Sequence, residues 1–176
     1  MTEKRTIFWF RQDLRLSDNP GLLAAAQNGS VMPIYILDDD SAGTFKMGST
    51  SRWWLHHSLD SLNKSLNNNL NLYVGRSEEI LLRIAKENNI SAVYWNRCYE
   101  PWRVRDDTIL KSCLKNQNID CQSFNGALLW EPWEILKNDK TPYKVYTPFY
   151  RKGCLQAPAP RVPLAKPDKL ALLTDL

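Results

Sequence analysis

An α/β fold is predicted, Rossmann-like, with a doubly wound five-stranded parallel sheet and helices on both faces. Two features of the sequence predict it. Short apolar runs rich in β-branched and aromatic residues alternate with segments of helical period. The first two runs, residues 6–10 and 31–37, each stop abruptly at charge: Arg11-Gln12-Asp13-Leu14-Arg15 after the first, Asp38-Asp39-Asp40 after the second. Alternation of strand and helix implies βαβ units with right-handed crossovers. Charge at the end of a buried strand marks the carboxyl edge of the sheet, where open α/β folds bind ligands.

The elements follow in order. After the strand at 6–10, Ser17-Asp18-Asn19-Pro20 supplies cap residues and a proline suited to a first helical turn. The helix runs over 20–27 with Leu22, Leu23, Ala25 and Ala26 as its apolar face, and Asn28-Gly29 ends it. The strand at 31–37 comes next. Ser49, Thr50 and Ser51 offer caps for a helix whose inner face carries Trp54, Leu55, Leu59, Leu62 and Leu66, broken by Asn67-Asn68-Asn69. The third strand is 70–74. Ser77 is the expected cap of the next helix, with Glu78 and Glu79 at the positive end of its dipole and Ile80, Leu81, Ile84 and Ala85 facing inward. A fourth strand at 92–95 leads through a loop at 96–102 to a helix reaching about residue 115, whose apolar residues are Val104, Ile109, Leu110, Cys113 and Leu114. The fifth strand is 119–124.

Beyond Asn125 the alternation stops. Residues 128–133 and 143–150 are aromatic and lack a period, and the tail carries Pro158, Pro160, Pro163 and Pro167. It reads as an extended linker, either weakly ordered or draped on a domain of residues 1–150. A linker at 151–176 with nothing after it points to a chain cut at a domain boundary.

Composition narrows the class. The chain has 176 residues, 43% of them hydrophobic, enough for one domain with a sizeable core. The net charge of +4 permits contact with nucleic acid without requiring it. No apolar run is long enough to cross a bilayer, and the run after the charged residues 1–5 is too short for a secretory signal. A cytoplasmic location is therefore expected, with no membrane partner. Cys98, Cys113, Cys121 and Cys154 form no C-x-x-C pair and are expected as reduced thiols.

Several chemistries are disfavoured. No Gly-rich phosphate loop follows the first strand, which argues against ordinary nicotinamide or P-loop nucleotide binding. His56 and His57 are adjacent on a helix, about 100° apart, and do not converge on a metal. No nucleophile constellation surrounds them, so neither a catalytic nor a metal-ligating residue is assigned. Three charged loops converge on the carboxyl edge instead: 11–15, 38–40 and 96–103, with Arg52 nearby. With Tyr99 and Trp102 they could hold a planar, partly anionic aromatic ligand. Equally, Arg11, Arg15 and Arg52 could be neutralised internally by Asp13, Asp38 and Glu100.

The string Trp9-Phe10-Arg11-Gln12-Asp13-Leu14-Arg15-Leu16-Ser17-Asp18-Asn19 resembles the amino-terminal signature of the DNA photolyase and cryptochrome family. Further likenesses are Ser51-Arg52-Trp53-Trp54-Leu55, the stretch from Tyr94 to Trp102, and Tyr143-Lys144-Val145-Tyr146-Thr147-Pro148-Phe149-Tyr150. The resemblance covers that family's amino-terminal α/β domain. It implies an antenna chromophore, which in the family is methenyltetrahydrofolate, 8-hydroxy-5-deazaflavin or a flavin. By position the antenna pocket would use Ile36, Leu37, Asp38, Arg52, Cys98, Glu100, Trp102 and Arg103. Trp102-Arg103 stand where folate-binding members have Asn-Glu, and Cys98 stands where deazaflavin-binding members have Asp. Which antenna binds, and whether any does, stays open, since some members of the family carry none.

The resemblance also implies what a longer protein would do. Its FAD would sit in a separate helical domain and repair cyclobutane pyrimidine dimers in DNA with light. That domain is missing from this chain, so the fragment alone is not expected to catalyse repair. The alternatives are the same domain from a cryptochrome-type blue-light receptor, or a stand-alone α/β protein with an empty crevice. Arg151, Lys152, Arg161, Lys166 and Lys169 read as a solvated tail rather than a DNA face. The aromatics of 128–150 would face the missing FAD domain, so the fragment is expected to self-associate.

Overall fold

A computed structural model describes residues 4–174. The strands are β1 (Arg5–Phe10), β2 (Ser30–Leu37), β3 (Asn71–Val74), β4 (Ala92–Asn96) and β5 (Asp120–Phe124). The helices between them are α1 (Pro20–Asn28), α2 (Asp39–Ala42), α3 (Ser49–Ser65), α4 (Ser77–Glu87) and α5 (Pro101–Asn116). The strands form one sheet in the order β3-β2-β1-β4-β5, parallel throughout. This is the expected fold, and the strand boundaries fall within a residue of those read from the sequence.

β1 is the middle strand, which explains why its run is apolar on both faces. Ile7 and Trp9 pack with Met32, Ile34, Val93 and Trp95 under α4 and α5, through Ile84, Leu110 and Leu114. Phe8 and Phe10 face the opposite core with Leu22, Ala25, Leu62 and Leu66, beneath α1 and α3. Helices therefore cover both faces. The chain reverses its direction across the sheet between β1 and β4, and the carboxyl ends of those two strands frame the switch point where such folds hold ligands.

Asn96 ties this switch point together. It is 2% exposed. Its Nδ2 donates to Asp13 Oδ2 (2.5 Å) and Asn19 Oδ1 (2.7 Å), and its Oδ1 accepts the Gly21 N–H (3.1 Å). Asn19 Oδ1 also caps α1 by accepting from Leu22 N–H at 3.0 Å. Close approach explains Gly21: a Cβ there would lie 2.8 Å from Phe8 Cε2 and 2.9 Å from Asn96 Oδ1.

Two expectations about the helices are corrected. On α5 the inward residues are Asp107, Leu110 and Leu114, while Val104 and Ile109 are exposed. A carboxylate replaces an apolar residue on that face because it pairs with the buried Arg11, the residue just past the end of β1. On α4, Ser77 is the first helical residue and not the cap. Its N–H is instead taken by Asp38 Oδ2 at 2.8 Å, from the end of β2.

The chain forms two units: residues 1–126 with 164–176, and residues 127–163. In the first, the tail returns to the sheet. β3 pairs with β2 only from Ile34 onward, which leaves the outer edge of Val31 open. The tail fills that gap: Val31 N–H donates to Ala171 O (2.7 Å) and Leu173 N–H to Val31 O (2.9 Å). Leu170 and Leu172 pack on one core and Leu173 on the other. The second unit holds short helical turns at Tyr146–Pro148, Phe149–Gly153 and Cys154–Gln156. Within it Tyr146 stacks on Tyr150, and Trp130 Nε1 donates to Pro158 O. The expected boundary at Tyr150 falls inside this unit.

Candidate functional site

Above the carboxyl edge of β1, β2 and β4 lies a cleft of about 1530 Å³. Its walls come from the loop after β1, the end of β2 with α2, the amino-terminal half of α3, and the start of α5. Trp9, Tyr35, Phe45, Trp54 and Trp102 give it aromatic surface. Of the residues expected from the sequence, Ile36, Leu37, Asp38, Glu100, Trp102 and Arg103 line it. Arg52 and Cys98 are not among the lining residues. Arg52 Nη2 donates to Asp39 Oδ2 (2.5 Å) and its Nε to Met47 O (2.9 Å), so it pins two segments of the wall to each other. Cys98 is buried, and its Sγ accepts from Arg103 Nη1 at 3.5 Å. Burial pushes the Cys98 thiol up, against the pull of the Arg11 and Arg103 guanidinium groups, so it is a neutral thiol.

The charges settle into pairs other than those considered from sequence. Arg11 Nη1 donates to both oxygens of Asp107, at 2.9 and 2.8 Å, and the two side chains are 4% and 10% exposed. Asp107 Oδ2 also accepts from Trp95 Nε1 at 3.0 Å. Asp13 receives the Arg11 backbone N–H (2.9 Å) and the Asn96 amide, not a guanidinium. Arg15 lies 3.7 Å from Asp18, and Arg52 is held by Asp39 rather than Asp38. Glu100 pairs with Arg103 at 3.6 Å and accepts from Gln12 Nε2 at 2.9 Å. Burial raises the Glu100 carboxyl, but its own backbone N–H, Arg103, Gln12 and Arg11 outweigh that, and it is held below the usual carboxylate range. Tyr99, expected in the crevice, directs its hydroxyl to Asn125.

Asp38 serves architecture. It caps α2 by accepting from Ser41 N–H (2.9 Å) and Ser41 Oγ (2.8 Å), and it caps α4 through Ser77. Burial raises its carboxyl, yet the Ser41 and Ser77 hydrogen bonds prevail and bring it below its ordinary value. A depressed carboxyl stabilises the fold at neutral pH, and that contribution is lost as pH falls through the folded-state value. Asp38→Ala is therefore expected to cost about 2 kcal/mol at pH 7, the upper range for losing a cap. Urea melts in acid should show the gap between variant and parent closing. A gap independent of pH would refute the role of the ionised form.

One feature separates this cleft from the rest of the molecule. Among the described residues, four buried side-chain atoms lack a hydrogen-bond partner: Trp9 Nε1, Arg11 Nε, Arg103 Nε and Asp106 Oδ2. All four residues line the cleft. An orphaned buried polar atom costs roughly 1–3 kcal/mol, so folded proteins carry few. These four atoms lie beneath the cleft surface and mark a wall whose polar groups are incompletely satisfied. The cleft itself offers aromatic surface, several arginines and the anionic Glu100. That suits a planar heteroaromatic ring with carbonyl or amino substituents at its edge.

Sequence reasoning passed over Trp9, Tyr35, Trp54 and Asp107. For Asp107 a signal existed. Residues 107, 110 and 114 share one helical face, so an aspartate aligned with Leu110 and Leu114 announces a buried charge with a partner. Trp54 was assigned to the core, but it is 69% exposed at the cleft rim.

Known proteins share this architecture. The DNA photolyase family model matches residues 6–168. The deoxyribodipyrimidine photo-lyase of Agrobacterium fabrum is 44% identical over 149 residues, covering 82% of this chain and 30% of the relative. Cryptochrome-2 of Arabidopsis thaliana is 36% identical over 176 residues, covering 98% of this chain and 29% of the relative. The crystal structure of a bacterial class III photolyase from Agrobacterium tumefaciens superposes with a TM-score of 0.89 at 38% identity, covering 98% of this chain and 36% of that one. The chain thus spans about a third of the length of the proteins it matches. With a family match that runs through the sheet, the cleft and the second unit, the chain belongs to the DNA photolyase family.

Proposed function

We propose that this chain is the light-harvesting chromophore domain of a deoxyribodipyrimidine photolyase. The observation that carries this reading is the large aromatic-lined cleft at the sheet's switch point, in a chain of the DNA photolyase family. When bound, an antenna of the folate, deazaflavin or flavin class supplies absorption of near-UV to blue light. The protein's residues hold it. Trp54 and Trp102 offer ring surface, Arg103 and Glu100 supply the polar side, and Arg11 with Trp9 forms the buried wall behind them. Ile36 and Leu37 contribute apolar wall, and Arg52 keeps the α2 wall in place through Asp39. Light-driven repair of cyclobutane dimers, the FAD that performs it and contact with damaged DNA belong in this proposal to the longer protein. Repair by the present chain alone is not expected. A cryptochrome-type light receptor is the second reading, favoured by the match to the Arabidopsis protein over 98% of this chain.

The test is an absorption titration from near-UV to blue with methenyltetrahydrofolate, 8-hydroxy-5-deazaflavin and FMN. At least one should give a bound band, and Arg103→Gln should weaken uptake about tenfold, the effect of removing one charge-assisted partner. No uptake of any of the three would overturn the reading.

The second unit exposes Leu129, Trp133, Val145 and Tyr146, each at least 60% accessible, which is a large apolar surface for so short a segment. Self-association of the isolated chain through this surface is part of the proposal. Sedimentation at rising concentration should show a monomer–dimer equilibrium that Trp133→Ser weakens. A single monomeric species throughout would contradict it.

A further inference from the structure

The tail grips the first unit at both edges of the sheet. At the amino edge Leu172 forms a parallel bridge to Val31, closed by the bonds from Val31 N–H to Ala171 O and from Leu173 N–H to Val31 O. The side chains alternate as in a strand: Leu172 reaches the core under α1 and α3, Leu173 the core under α4 and α5. At the carboxyl edge Leu164 meets Asp18, in the loop after β1. Asp18 N–H donates to Leu164 O at 2.7 Å, and Leu164 N–H donates to Asp18 Oδ1 at 3.2 Å.

Asp18 has a φ of 48°, in the left-handed region where L side chains are uncommon and Asn and Asp are the best tolerated. Such a conformation persists where its surroundings hold it. The two bonds to Leu164 do so, and Asp18 O in turn accepts from Arg15 Nη2 at 2.8 Å. Arg15 lines the cleft together with Leu14. A continuous path of hydrogen bonds therefore runs from Leu164 through Asp18 to Arg15 and the cleft wall. Asp13 and Asn19, on the sheet side of the same loop, are held separately by Asn96. Leu14 and Leu16 pack on the same core as Leu170 and Leu172, so loop and tail also share one apolar support.

We propose that residues 164–173 are a strap that sets the shape of the cleft. Docked, they hold residues 14–18 in the conformation that lines it, and a ligand in the cleft holds the strap down in return. The reciprocity is thermodynamic: two events that favour the same state must favour each other. The action of the strap on the loop needs no ligand. Its coupling to binding rests on the reading of the cleft as a ligand site.

Release at the far grip tests this. Leu173→Pro removes the N–H that donates to Val31 O, and Leu172→Asp sets a charge against the core; the double variant alters no residue of the cleft. Hydrogen exchange without ligand reads the Arg15 amide, which donates to Asp13 O at 2.6 Å. That amide should exchange about tenfold faster in the double variant, while α4 and β5 keep their protection. Faster exchange confined to Val31 and the tail would make the tail a patch on the sheet edge and overturn the strap. A local pair of variants decides the same point should the double variant unfold. Asp18→Asn keeps an acceptor and a side chain suited to the left-handed region, and should match the parent. Asp18→Ala loses both and should free the Arg15 amide; equal exchange in the two would overturn the strap. Titration with methenyltetrahydrofolate, 8-hydroxy-5-deazaflavin and FMN then reads the coupling. The dissociation constant of whichever binds the parent should rise about fivefold in the double variant, the low end of ordinary coupling between sites. Saturation with that ligand should slow exchange of the Val31 amide at the opposite edge. Equal affinities alongside a faster Arg15 amide would overturn the coupling and leave the strap. No binding by any of the three would overturn the ligand site, and the Arg15 amide would still decide the strap.

Discussion

Asp107→Ala is expected to lower the unfolding free energy by about 3–5 kcal/mol, the cost of leaving a buried charge unpaired. Arg11 is 7% exposed, and both hydrogen bonds from its guanidinium to a carboxylate end on Asp107. Removing that carboxylate leaves a guanidinium in the interior beside Trp9, whose ring centre is 4.5 Å from Arg11 Cζ. It also strips the Trp95 indole N–H of its acceptor. Urea denaturation measures the loss. The double variant Arg11→Met with Asp107→Leu should recover most of it, because a buried ion pair contributes little over well-packed apolar residues of similar size. If the single variant loses less than about 1 kcal/mol, the pair is solvated and the buried-charge argument fails. Ligand uptake should fall with it, since both residues form the wall of the cleft.

Asn96→Ala should cost about 3 kcal/mol. The amide serves three partners that no nearby group can replace. Without it, Asp13 Oδ2 keeps only Asn19 Nδ2 at 3.3 Å, and the Gly21 N–H, in the first turn of α1, loses its acceptor. Orphaning buried polar groups costs roughly 1–3 kcal/mol each, and a network loses more than one pair. Hydrogen exchange should locate the damage in the loop after β1 and the first turn of α1, with β3 and α4 unaffected. Protection that drops uniformly would mean Asn96 acts on global stability only. Gly126→Ala supplies an independent check, because its new Cβ would lie 2.5 Å from Asn96 Cγ and push the same amide aside.

These two residues show where reading the chain stops. Local pattern sufficed for the five strands, the helices over 20–28 and 77–87, and the charged carboxyl edge. The reason is that side-chain periods of 2 and 3.6 and the punctuation by Pro, Gly and Asn act over a few neighbouring residues. The signature at residues 9–19 added the family, and with it six residues that do line the cleft. The sequence by itself therefore determined the fold class, the edge where the cleft opens and the family. Partner choice was different. Arg11 finds Asp107 across 96 positions, and Asp38 caps a helix 39 positions away. The composition of the loops allowed Asp13 and Asp38 as guanidinium partners just as well. Only the tertiary structure decided these pairs, the return of residues 171–173 to the open edge of β2, and the gathering of four orphaned polar atoms into one cleft. Such outcomes depend on which loops the sheet order brings within about 3 Å of each other, a distance that no local period encodes.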